Sequence, residues 1–244
     1  MNWVAMALVM WAGSSLANDS AWGPFAGSVS PMEEHPTIVM ESADIDIALR
    51  EDRASGWCAY VLYNEGPATT VTMGFPIYSG GGDSPVGRHE QVRFSSKVDG
   101  TPVAVRTKRT GKAGTMKEVL WYIKDVHFEA GQRRTVINRF RQPGIGEISN
   151  GESFFKYIVS SARSWRGPIE RLGIEVHWYG KELWRQPRVL PREQGYTGTP
   201  EPHVAADGRT LKWRFVNADP DWNLAIYFWM AENARLLKEQ GAAG

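Results

Sequence analysis

The 28 basic and 27 acidic side chains among 244 residues nearly cancel, leaving a net charge of +1, which excludes the basic footprint that a nucleic-acid binder needs. Cys58 is the only cysteine, so no intrachain disulfide framework exists and a hydrophobic core must hold the fold. At this length one large or two ordinary domains can bury such a core.

Residues 3–12 form an uncharged apolar run followed by Ser15-Leu16-Ala17, a small-x-small pattern that signal peptidase cleaves, so 1–17 reads as a signal peptide with the mature chain starting near Asn18. No Lys or Arg precedes Arg50, so the positive charge ahead of the apolar run rests on the α-amino group alone. The run is about half of the roughly 20 residues that a membrane helix requires, so no membrane span is expected after signal removal. No cysteine stands at the cleavage site to carry a lipid. The expected location is periplasmic or secreted.

Residues 18–36, rich in Gly, Ser and Pro, read as an N-terminal tether. Strands are predicted near 38–40, 45–50, 57–64, 69–76, 91–98, 102–108, 117–124 and 134–140, with Asp99-Gly100 as a hairpin turn. A first β-sandwich domain over 37–142 then gives way to a Gly- and Pro-rich linker at 143–151. A second sandwich over 152–230 follows, with strands near 154–160, 169–179, 183–190, 210–216 and 224–229, an irregular excursion across 185–202 and a turn at Asp207-Gly208. Residues 231–244 read as a short helix or tail.

The faces follow from period-two alternation. Trp57, Ala59, Val61 and Tyr63 share one face, as do Val71, Met73 and Phe75, then Leu172, Ile174, Val176 and Trp178, then Leu211, Trp213 and Phe215, and finally Leu224, Ile226 and Phe228. Each set is expected to face a core. The fold class is therefore all-β, with two antiparallel immunoglobulin-like sandwiches expected and one larger sandwich or barrel as the alternative.

The ordered motifs Met40-Glu41, Tyr60 to Tyr63-Asn64, Gly74-Phe75-Pro76, Val98-Asp99-Gly100-Thr101-Pro102-Val103, Trp121 before Phe128-Glu129-Ala130-Gly131, and Ser164-Trp165-Arg166-Gly167-Pro168-Ile169 span roughly 40–179. In that order they resemble an uncharacterised family of secreted bacterial domains of unknown function. The resemblance implies export and a β fold. It carries no activity and no catalytic residue.

Among chemical candidates, Asp125, His127 and Glu129 alternate on one strand face and are the best catalytic or metal-binding set, with Val126 and Phe128 opposite them as an ordinary half-buried strand. His177 lies opposite an apolar face, and no HExxH spacing joins any two histidines. Serines 160, 161 and 164 sit in no Gly-x-Ser-x-Gly elbow, and the glycines at 80–82 lack the Lys-Ser/Thr of a phosphate loop. Asp44 with Asp46, or Asn217 with Asp219 and Asp221, offer oxygens to calcium, although turn chemistry accounts for the second group. The basic stretch 106–117 reads as a solvated hairpin loop.

Of eleven tryptophans, Trp57, Trp178 and Trp213 are assigned to cores. Trp165, Trp184 and Trp222, at loops or strand ends, are the candidate binding residues, with a structural plug as the other reading of Trp165. The expectation is a non-enzymatic, exported binding or envelope-associated module without a cofactor, meeting a protein or glycan and no nucleic acid. The alternatives are a hydrolase around Asp125, His127 and Glu129 and a structural accessory domain.

Overall fold

A computed structural model describes residues 25–32, 35–78, 92–111, 119–143, 146–147, 152–183, 186–189 and 198–231. The described residues form seventeen strands and one 3₁₀ turn, Ser160–Ser164. In chain order the strands are β1 (Phe25–Gly27), β2 (Ser30–Pro31), β3 (Ile38–Arg50), β4 (Arg53–Asn64), β5 (Thr69–Tyr78), β6 (Arg93–Val98), β7 (Thr101–Pro102), β8 (Arg106–Thr110) and β9 (Val119–Phe128). They continue with β10 (Arg133–Pro143), β11 (Gly146–Glu147), β12 (Glu152–Ile158), β13 (Ile169–Trp178), β14 (Arg188–Val189), β15 (His203–Val204), β16 (Thr210–Ala218) and β17 (Leu224–Trp229).

Two sheets result, and neither closes into a barrel. One runs β14-β17-β12-β1-β5-β9-β8, with β11 beside β12 and β2 beside β5; the other runs β15-β16-β13-β3-β4-β10-β6-β7. Each sheet takes strands from both sides of the expected 143–151 linker. The joints are two parallel pairings, β1 with β12 and β3 with β13, in molecules whose other ladders are antiparallel. Two half-sandwiches therefore lie edge to edge as one continuous double sheet over a single buried cluster.

The expected tether supplies one of these joints. Gly27 on β1 is buried, and a Cβ there would come within 2.7 Å of Pro76 and 3.3 Å of Ile158, so a residue without a side chain suits the crowded seat between β5 and β12. Val29 is fully buried beyond it. Within the expected linker, β11 pairs with β12. The predicted strand 102–108 is split by 103–105, with β7 in one sheet and β8 in the other.

The Asp99-Gly100 turn has the positive φ values, 49° and 81°, that the hairpin signal requires. Asp99 also accepts hydrogen bonds from the Thr135 amide and the Arg134 guanidinium, so it ties the turn to β10. Burial in the Asp99 carboxyl's surroundings pushes its pKa up, but these bonds outweigh it and hold the group below its usual value. Asn64 is wholly buried and fully used: its amide donates to the carbonyls of Pro67 and Glu129, and its oxygen accepts from Gly66 and Thr37.

Four of the five predicted apolar faces lie inward, with Phe215 only partly buried, but that of β4 is inverted. Cys58, Tyr60, Leu62 and Asn64 are buried, while Trp57, at 37% exposure, lies with Ala59, Val61 and Tyr63 on the outer face. A one-residue change of phase moves every side chain of a strand to the other face, and here two alternating sets were both apolar enough to qualify. Between the sheets the aromatic rings interdigitate: Tyr122 stacks on Phe94 at 4.5 Å, Phe94 meets Phe75 at 5.0 Å, and Phe75 meets Phe140 at 5.4 Å. Tyr122 and Phe75 belong to one sheet and Phe94 and Phe140 to the other, so the contacts knit the layers together.

Gly56 makes room for this stack. A Cβ at Gly56 would fall 2.1 Å from the Phe140 ring, which is itself wedged by neighbours. Gly56→Ala is expected to cost about 2–3 kcal/mol by overpacking, lowering the thermal midpoint by roughly 5–10 °C. Adding Phe140→Leu should recover part of that loss; a single variant as stable as the wild type would show that the ring is not confined.

Candidate functional site

Of the expected triplet, Asp125 and His127 sit on the outer face of β9 and Glu129 directly follows the strand. Asp125 does not face the imidazole: its carboxylate takes two bonds from Arg106, at 2.6 and 3.1 Å, and one from the Thr72 hydroxyl at 2.6 Å. The Arg106 and Thr72 hydrogen bonds hold the Asp125 carboxyl below its ordinary pKa, against a small opposing effect of burial. His127 lies between Thr70 at 3.1 Å and Glu129 at 3.2 Å. The side chains of Asp125, His127 and Glu129 are 46%, 52% and 69% exposed, so water reaches all three. Among the described residues no group of three or more His, Cys, Asp or Glu is gathered closely enough to hold a metal. Asp125 has its carboxylate engaged by Arg106 and Thr72, and all three side chains stand open to water.

The candidate binding tryptophans fare differently. Trp165 is buried and its indole donates to the Val29 carbonyl at 3.0 Å, which makes it a plug over the joint formed by β1. Trp222 is buried against Phe215. Neither offers a face to a ligand, because both rings are spent on packing. Trp184 lies outside the described residues. Asp219 pairs with Arg163 at 2.9 Å, and Asn217 takes a positive φ of 52°, both in keeping with turn chemistry.

The densest polar arrangement is on the outer face of the β13 sheet, where strand register places Asp46, Glu175 and Lys212 in one row and His177 and Thr210 in the next. Glu175 accepts from Arg214 at 2.5 Å and lies 3.2 Å from Lys212. Burial pushes the Glu175 carboxyl up, but the bonds from Lys212 and Arg214 outweigh it and its pKa falls below the ordinary value. His177 lies 3.3 Å from both Asp46 and Thr210. This superficially matches a hydroxyl, imidazole and carboxylate relay, yet the Thr210 hydroxyl donates to Asp207 at 2.7 Å and anchors the Asp207-Gly208 turn. Its proton is committed and the residue is buried, so it is no nucleophile. Asp44 shares the exposed face of β3 with Asp46.

Beyond it, the same face changes character. Register sets Asp46 beside Trp57 and Trp57 beside Arg139, with Ala59 and Ile137 in the next row. Trp57 is thus an exposed indole in the middle of an open sheet. Sequence alternation pointed to this residue but assigned it to the core.

The groups with the strongest pKa displacement are all inside. Burial pushes the Cys58 thiol up to about 11, despite hydrogen bonds from Tyr157 and Tyr60 that act the other way. Tyr60 and Tyr157 are 3.2 Å apart at their hydroxyls and are likewise raised by burial. Lys124 points between the sheets at 1% exposure, and burial lowers its ammonium to about 7. Its nitrogen donates to Asn138 at 3.1 Å, where Ser96 also donates at 2.8 Å, and the Phe94 ring lies 6.0 Å away. Cys58 and Ser96 flank Asn138 in register on β4 and β6, giving the dry core one polar row.

No protein-family model matches the sequence, and no curated protein matches it. Among solved structures, the chain is similar to the crystal structure of a "putative nutrient binding protein" from Legionella pneumophila subsp. pneumophila str. Philadelphia 1. The TM-score is 0.71 at 18% identity, over 91% of this chain and 75% of that one. At this identity the likeness shows a shared fold alone.

Lys124 gives stability a pH dependence whose sign is fixed. Between about 7, its value in the fold, and 10.5, its ordinary value, the unfolded chain holds a proton that the folded chain has released, so this residue's contribution to stability rises with pH through that window. Lys124→Met is expected to stabilise the protein by about 2–4 kcal/mol at pH 6, with the gain shrinking toward zero near pH 10. Urea unfolding of both proteins at the two pH values reads this directly, and an equal gain at both would mean that Lys124 is not a buried titrating group.

Proposed function

We propose that the protein is an exported, non-enzymatic binding module that meets a protein or glycan of the cell envelope through the outer face around Trp57. The observation that carries this reading is the 37% exposure of that indole at the centre of a sheet face. An indole supplies a large, rigid contact area at little entropic cost, and such residues dominate binding energy when a partner dries them. Ala59, Val61 and Ile137, all partly exposed beside it, widen the apolar strip. The Legionella protein, described as a nutrient binding protein, is of the same broad class. Export rests on the signal-like sequence over 1–17, and the family resemblance over 40–179 agrees with it. Among the described residues no helix is long and apolar enough to cross a membrane.

Hydrolase chemistry draws no comparable support. The candidate triplet is open to water, and Asp125 is already neutralised by Arg106.

The test is a thermal-shift screen of the mature chain against envelope glycans and peptidoglycan fragments, run in parallel on Trp57→Ala. A ligand present at about 100 times its Kd stabilises the native state by roughly 2.7 kcal/mol. The expected result is a raised midpoint in the wild type that is lost in Trp57→Ala, whose own midpoint stays close to that of the wild type. A shift that survives in Trp57→Ala places binding elsewhere. A metal-dependent shift abolished by His127→Ala would instead restore the hydrolase reading.

A further inference from the structure

On the side of Trp57 away from Asp46, the face is cationic and uncompensated. Arg139 lies directly across from Trp57 on β10, Arg141 is two residues along the same strand, and Arg93 on β6 lies directly across from Arg141. Lys97 follows on β6, opposite Ile137. All four cations are exposed, and among the described residues none lies within ion-pair distance of a carboxylate. Arg53, on the next row of β4, is neutralised by Asp52, and Arg50 rests on the Tyr179 ring.

Like charges directly opposite one another on a sheet oppose folding, so the Arg93 and Arg141 pair gains nothing from the sheet that carries it. The contrast within this face is sharp. Across β3, β13 and β16 each carboxylate of Asp46 and Glu175 meets a basic group, and at the start of β10 Arg133 and Arg134 pair with Glu41 and Asp99, whereas Arg139 and Arg141 of β10 and Arg93 and Lys97 of β6 have no carboxylate partner among the described residues. Adjacent strands lie about 4.8 Å apart and same-face neighbours about 7 Å apart, so three guanidinium groups fall within one small patch bordered by an indole. Guanidinium groups bind carboxylates and phosphates through paired, planar hydrogen bonds.

We propose that this patch binds an acidic polysaccharide, a sugar chain bearing repeated carboxylate or phosphate groups, with its charges on Arg139, Arg141 and Arg93 and a sugar ring against Trp57. This rests on the binding-face reading above and specifies its ligand. An extended chain suits a flat strand face, which has no walls to enclose a small molecule. The indole favours a ligand with rings over a plain string of charge, and a row of isolated surface cations would have no use for it.

Isothermal titration calorimetry with a galacturonate oligomer tests the proposal on the mature chain, against a neutral dextran oligomer, polyphosphate and anionic phosphatidylglycerol vesicles. The expected result is binding of galacturonate but not dextran, weakened about tenfold or more by raising the salt from 50 to 500 mM as the charges are screened. The double variant Arg139→Glu/Arg141→Glu should abolish it, Arg93→Gln alone should weaken it severalfold, and Trp57→Ala should weaken it with the fold intact by circular dichroism. Polyphosphate binding as tightly as galacturonate, with no effect of Trp57→Ala, overturns the proposal in favour of a charge patch alone. Preferential binding to the vesicles overturns it in favour of a lipid surface. A neutral glycan bound through Trp57 and indifferent to Arg139→Glu/Arg141→Glu overturns the acidic ligand while leaving the binding face standing; no ligand sensitive to Trp57→Ala overturns both.

Discussion

The parallel pairing of β3 with β13, registered from Ser42 with Arg171 to Leu49 with Trp178, is the constraint from which the rest of the architecture follows. A parallel ladder cannot be closed by a tight turn, so the chain must complete one half-sandwich and travel back before it can add the next. Without this joint and its counterpart between β1 and β12, each half would present two long open edges. Such edges are templates for unwanted association. With both joints made, the sheets end in short pieces, β7, β14 and β15 at two residues each, or in the arginine- and lysine-bearing β8. The 3₁₀ turn with Trp165 closes the seam at Val29.

Continuity of the sheet also creates the face on which function is proposed. Strand β3 is central only because β13 lies on its far side, and its Asp44 and Asp46 then fall between the basic groups of β16 and the indole of β4. On the acidic side of the face Glu175 is paired with Lys212 and Arg214 and Asp46 lies beside His177, so a net charge of +1 for the whole chain hides a local excess of cations on β10 and β6. Charge balance over a sequence says nothing about balance over a surface, because Coulomb interactions between exposed groups fade beyond about 8–10 Å of salt solution.

What was legible in the sequence is what local physics decides. The alternating faces of β5, β13 and β17, the turns at Asp99-Gly100 and Asp207-Gly208, and the all-β character each depend on neighbours within a few residues. What was not legible depends on partners far away. Residues 25–31 lack the β-branched and aromatic pattern of a strand, but they lie between two strands that supply the hydrogen bonds, and Gly27 is favoured there because space is short. On β4 both alternating sets are apolar, so only the ring of Phe140 against Gly56 and the Tyr60 to Tyr157 contact show which one is inside. The cation patch draws on β6 and β10, more than 40 positions apart in the chain, and on β4 for its indole, so no window of sequence contains it.

The division between buried and exposed chemistry supports the proposed binding reading. Catalysis needs a group whose protonation is displaced and which substrate can also touch. Here the strongly displaced groups, Lys124, Cys58, Tyr60 and Tyr157, lie between the sheets at 1% exposure or less. Among the exposed groups described above, Asp125 is paired with Arg106 and Glu175 with Arg214, and the arginines of the proposed binding face remain charged and transfer no proton. Arginine and tryptophan on an open sheet supply charge, planarity and contact area without reactivity. These are the properties that recognition uses, and they support the proposed binding face.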